Sequence, residues 1–115
     1  MPPERDAATL LDIVTAARLI LEFMEGLDYP RFEADAKTQS AMIHQFLIIG
    51  EATKRLSDPF TTAHVEIPWT AIARMRDKMI HHYEAVDLRE VWRAAETDVP
   101  SLLASLEPLL PPEQP

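Results

Sequence analysis

The chain has no cysteine, so no disulfide framework is possible and a reducing compartment is compatible. Glycine occurs only twice in 115 residues, which disfavours a sheet joined by tight hairpins and favours helices. Long apolar runs are missing too, and none approaches the length of a membrane span. The opening stretch Met1 to Leu10 is charged and carries Pro2 and Pro3; it has neither a basic lead nor an apolar signal core. These absences together predict a protein of the cytoplasm with no membrane contact. Positive charge is also scarce. Eleven basic residues stand against 19 acidic ones, a net charge of −8, which argues against a protein that coats nucleic acid nonspecifically. Any contact with RNA must be local.

What the chain does have is helical patterning. A first helix is expected from about Glu4 to Glu25, with Leu10, Val14, Ala17, Leu21 and Met24 inward and Gly26 as its stop. Leu27 to Glu33 is expected to be a connector broken at Tyr29-Pro30. A second helix is expected from about Asp35 to Leu56. Met42, Ile43, Phe46, Ile49 and Thr53 repeat on it at helical spacing. Gly50 in its middle costs about 1 kcal/mol against alanine, and close approach of another helix backbone would account for it. Ser57-Asp58-Pro59 ends that helix, and Phe60 to Ile67 is expected to be a loop. Asp87 and Glu90 have the spacing of a capping box for a further helix carrying Leu88, Val91, Trp92 and Ala95 inward. Pro100 should break or kink it near Asp98, leaving Leu102, Leu103, Leu106 and Leu110 on a last amphipathic helix. The fold class expected is all-α, an up-and-down four- to five-helix bundle. Residues 1–110 would form its single domain and residues 111–115 a proline-rich tail.

The stretch Trp69 to Tyr83 stands apart. Pro68 suits a first helical turn, and a third helix is expected to follow it. At about 100° per residue, Trp69, Ile72, Met75, Met79, Ile80 and Tyr83 share an apolar face, with Arg74, Lys78 and His82 opposite. Arg76 falls on the apolar side, where its fixed fork of donors needs a partner. That partner is either a structural acid such as Glu51 or a phosphate. Asp77 and His81, at i and i+4, would meet on one face, where the carboxylate would fix the imidazole's tautomer and raise its pKa. His81 and His82 diverge around a helix, and no HExxH or second histidine cluster accompanies them, so no metal site is expected.

The octamer Arg76-Asp77-Lys78-Met79-Ile80-His81-His82-Tyr83 matches R-x4-H-x-Y. It is similar to the signature of HepT-like toxins in the HEPN superfamily of small helical ribonucleases. Flanking blocks extend the resemblance over roughly residues 6 to 107: Ile49 to Ala52, Ile67 to Trp69, Met75 to Asp77, Val86 to Leu88, and Val91-Trp92. The resemblance implies a homodimeric, metal-independent endoribonuclease needing no cofactor. Arg76 and His81 would be its catalytic pair, with Asp77 in the polar position after the arginine. It also implies a toxin–antitoxin pair, in which a partner nucleotidyltransferase antitoxin of the MntA type silences the toxin by placing AMP on Tyr83. RNA chemistry suits these residue types, because the 2′-OH supplies the nucleophile and the site must supply only acid, base and positive charge. The alternative from another class is a non-catalytic helical module that binds nucleotides or a partner protein.

Overall fold

The computed structural model describes residues 4–81 and 85–112, and for His81 the backbone alone. Two long helices form its centre. Helix α1 spans Glu4–Met24 and helix α3 spans Ala36–Lys54, and they pack along each other. The 3.6-residue repeat is why. Leu10, Ile13, Val14, Ala17 and Ile20 of α1 meet Met42, Phe46 and Ile49 of α3, all without solvent exposure. Each such side chain contributes roughly 1.5–3 kcal/mol on burial. Gly26, at φ 76°, ends the first helix in the left-handed conformation expected of it. Asp35 caps α3, accepting from the Thr38 N–H at 3.1 Å and the Thr38 hydroxyl at 2.7 Å.

The two expected irregular connectors are short helices instead. Helix α2 spans Tyr29–Glu33 and helix α4 spans Asp58–Ala63. The same chemistry builds both. Asp28 and Ser57 accept from the N–H groups of Arg31 and Phe60, and Pro30 and Pro59 sit in first turns, where a missing N–H costs nothing. One buried aromatic anchors each, Phe32 or Phe60.

A polar clamp ties the bundle at its edge. Asp6, 2% exposed, accepts from the Ser57 N–H at 2.9 Å and the Ser57 hydroxyl at 2.6 Å. The start of α1 is thereby held to the corner between α3 and α4.

Helix α6, Leu88–Arg93, begins at Asp87, whose carboxylate accepts from the Glu90 N–H at 3.1 Å. Only half of the capping box forms. The Glu90 carboxylate turns away to Arg93. The chain then runs through one wide π-type turn, Ala94–Asp98, into helix α7, Val99–Leu106. Pro100 has no N–H for the Glu96 carbonyl, and the wide turn just before it takes up the mismatch. Leu102, Leu103 and Leu106 are buried, and α7 packs on α1. The chain is thus an all-α helical bundle, with one minimal hairpin ladder, Ile80–His81 (β1) against Ala85–Val86 (β2). No helix among the described residues is long and apolar enough to cross a membrane.

Candidate functional site

The stretch after Pro68 is not the continuous helix that its periodicity predicts. Helix α5 covers only Trp69–Ala73. The chain then tightens into a 3-10 turn, Arg76–Lys78, and enters β1. Three causes act together. Pro68 offers no side-chain cap, so the helix starts weakly. Ile80 is β-branched and favours extended backbone. The antiparallel partner then engages the backbone a helix would have used: Ile80 faces Val86, His81 faces Ala85, and the Asp87 N–H donates to the Met79 carbonyl at 2.6 Å. Burial at Ile72, Met75 and Met79 (6%, 6% and 1% exposed) has the spacing of a helix, yet a turn of 3-10 type satisfies it equally well.

Those three apolar side chains hold the segment against the core. The fit to α3 is close, because a Cβ built on Gly50 would lie 3.0 Å from the Ala73 carbonyl oxygen. That close approach is what the mid-helix glycine accommodates. On the other side, the Trp69 indole N–H donates to the His64 carbonyl at 3.0 Å, and its ring lies 5.8 Å from that of Phe60.

Arg76 is half-buried on the 3-10 turn. Among the described residues it makes no ion pair and no side-chain hydrogen bond. The expected structural partner, Glu51, is engaged elsewhere, with the Lys54 amine 3.5 Å away. Asp77 is exposed on the same turn. Its expected i, i+4 meeting with His81 requires a helix that is not present, since the chain passes through buried Met79 and becomes extended between the two. The His81 side chain, His82 and Tyr83 lie outside the described residues. Arg74 and Lys78 are exposed and, among the described residues, have no acid within salt-bridge distance, although Lys78 acts electrostatically on the Glu90 carboxylate. Three cations therefore stand within five positions of an otherwise acidic chain. No group of three or more potential metal ligands gathers among the described residues.

Sequence reasoning missed a cavity of about 220 Å³ beside this turn, between α5 and α7. Its walls come from residues 67–78 and 98–105, and no local pattern joins segments so far apart. The one sequence signal was the pair Ser101 and Ser105, a polar stripe on an otherwise apolar helix.

Comparison with known proteins bears on the same residues. The family model described as "Ribonuclease HepT-like" matches residues 13–109. A probable ribonuclease HepT of Thermococcus cleftensis is 46% identical, covering 87% of this chain and 91% of the relative. A putative RNase of Methanocaldococcus jannaschii is 34% identical, over 96% and 91% of the two chains. Another, from Caldanaerobacter subterraneus subsp. tengcongensis, is 32% identical over 89% and 91%. No solved structure matches. The match spans most of the helical core together with the R-x4-H-x-Y segment, and the chain belongs to the HepT-like ribonuclease family.

Proposed function

We propose that this protein is a metal-independent endoribonuclease, the toxin of a toxin–antitoxin pair, acting in the cytoplasm. The observation that carries the reading is Arg76. It is a half-buried guanidinium on an anchored turn, with no acid paired to it among the described residues, inside an intact R-x4-H-x-Y motif. Its fork can hold two phosphoryl oxygens. The 2′-oxygen attacks the adjacent phosphorus and a base takes its proton. The bond from phosphorus to the 5′-oxygen breaks, and an acid protonates the leaving oxygen. The products are a 2′,3′-cyclic phosphate and a 5′-hydroxyl. Histidine as a residue type exchanges protons near neutral pH, and His81 is the histidine of the motif. Two copies meeting across a dimer axis would supply both acid and base, and Asp77 would support the pair. Tyr83 is the position a nucleotidyltransferase antitoxin of the MntA type would modify with AMP, adding negative charge where RNA phosphates approach.

The test is cleavage of RNA by purified protein with EDTA present. Wild type is set beside His81→Ala and Tyr83→Phe, and circular dichroism monitors the fold. Cleavage that survives EDTA and the Tyr83 change but vanishes with His81→Ala is the expected result. The acidic net charge favours a second reading, a binding module without chemistry. A folded wild type that cleaves nothing, and carries no AMP by mass spectrometry, would establish that reading instead.

A further inference from the structure

The cavity between α5 and α7 has two kinds of wall. Ile72 and Leu102 are apolar, whereas Asp98 and Ser105 put a carboxylate and a hydroxyl at its edge. Its volume, about 220 Å³, falls below the roughly 300–1,000 Å³ of pockets that take drug-sized ligands and suits a single heterocycle. Lys78 lines this cavity and also the shallow groove next to it, which carries Arg74. Neither cation has an acid within salt-bridge distance among the described residues, although Lys78 acts electrostatically on the Glu90 carboxylate. A mainly apolar cavity with one acidic residue and Lys78 in its lining, and Arg74 in the adjoining groove, is the complement of one nucleotide. An acidic side chain would satisfy the cations but leave the apolar cavity unfilled.

We propose that this cavity receives one unstacked nucleobase of single-stranded RNA, and that Asp98 selects a base bearing an exocyclic amino group. This rests on RNA being the ligand of the neighbouring motif. The Arg93 guanidinium donates to both Asp98 oxygens, Oδ2 at 3.0 Å and Oδ1 at 3.4 Å, which orients the carboxylate and leaves each oxygen a further lone pair to accept with. A carboxylate accepts from the amino group of cytosine, and the amino groups of adenine and guanine offer the same donor; uracil presents a carbonyl there instead. Recognition of RNA sequence uses such splayed-out bases, read on their Watson–Crick edges. Lys78 and Arg74 would hold the phosphates on either side of the seated base.

The test is binding of fluorescent 2′-fluoro decamers of adenosine, cytidine and uridine, which this chemistry cannot cleave. Wild type is compared with Ala71→Leu, which fills the cavity mouth from an exposed position, and with Asp98→Asn. The adenosine and cytidine decamers should bind about tenfold more tightly than the uridine decamer, as expected for one read base. Ala71→Leu should erase that difference, and Asp98→Asn should narrow it, with circular dichroism unchanged. Equal affinity for all three decamers, or a preference that survives Ala71→Leu, overturns the proposal. Cleavage of natural RNA is measured in parallel to keep the two readings apart. Cleavage without base preference removes the pocket and leaves the nuclease. Base-selective binding without cleavage does the reverse.

Discussion

Arg76 and Ser57 are both polar side chains at corners of the fold, and they should respond to mutation in opposite ways. Arg76 has no partner among the described residues to leave stranded. Arg76→Ala should therefore shift stability by less than about 1 kcal/mol. Cleavage should fall at least about a hundredfold, the cost of losing one preorganised charge donor. Ser57→Ala removes a hydroxyl that donates to buried Asp6 at 2.6 Å and accepts from the Phe60 N–H at 3.3 Å. It should cost about 2–3 kcal/mol in urea denaturation and leave the cleavage chemistry untouched. A third residue sets a pH dependence. Hydrogen bonds from Arg93 hold the Glu90 carboxyl below its ordinary value of 4.5, against the opposing pull of partial burial. A carboxyl with a depressed folded-state pKa stabilises the fold above its unfolded value and loses that contribution as pH falls through the folded one. Glu90→Gln should accordingly flatten the decline in stability below about pH 4.5, measured by melts across acid pH.

At the scale of elements, the long helices were legible and the functional segment was not. Helices α1 and α3 announce themselves by five or more turns of apolar repeat and by Gly26 and Asp35 at their ends. Short helices α2 and α4 are hard to see in the sequence because Pro30 and Pro59 have the look of breaks, although each follows a capping side chain by two positions. In the motif segment the pattern Ile72, Met75, Met79 is shared by a helix and by a helix that tightens into a turn. What decides between them is the pairing of Ile80–His81 with Ala85–Val86, a contact that no local window contains. The motif residues are legible only through the resemblance of the octamer and its flanking blocks to a family signature, and R-x4-H-x-Y survives whatever backbone carries it. Met79 is the pin of this arrangement. Met79→Ala should cost about 2–5 kcal/mol and abolish cleavage with it, whereas Met79→Leu, of similar volume, should cost less than about 1.5 kcal/mol. Chemical denaturation beside an activity assay separates the two.

Over the whole molecule, a net charge of −8 disfavours contact with RNA across the surface at large, so on the proposed reading RNA would be held locally. Three cations, Arg74, Arg76 and Lys78, would then carry the phosphate contacts. The logarithm of affinity should fall against the logarithm of salt with a slope of roughly −2, the value for about three contacts to a single strand. Titrations by fluorescence anisotropy between low and moderate sodium chloride measure it. A far steeper slope would mean that more of the surface takes part.

The seat of Ala73 on Gly50 carries one more consequence, for anyone breeding a hardier version of this protein. A glycine in the middle of a long helix is the first position a stabilisation campaign replaces, for a gain of about 1 kcal/mol in helix propensity. Here the new methyl would lie 3.0 Å from a carbonyl oxygen and would have to lift α5 by a few tenths of an ångström. The two effects offset each other in a melting curve. Arg76, three residues beyond that carbonyl, moves with the lifted backbone, and turnover should fall about tenfold in Gly50→Ala. Selection for heat resistance and selection for catalysis would pull position 50 in opposite directions, and a screen scored on survival alone would choose the slower enzyme.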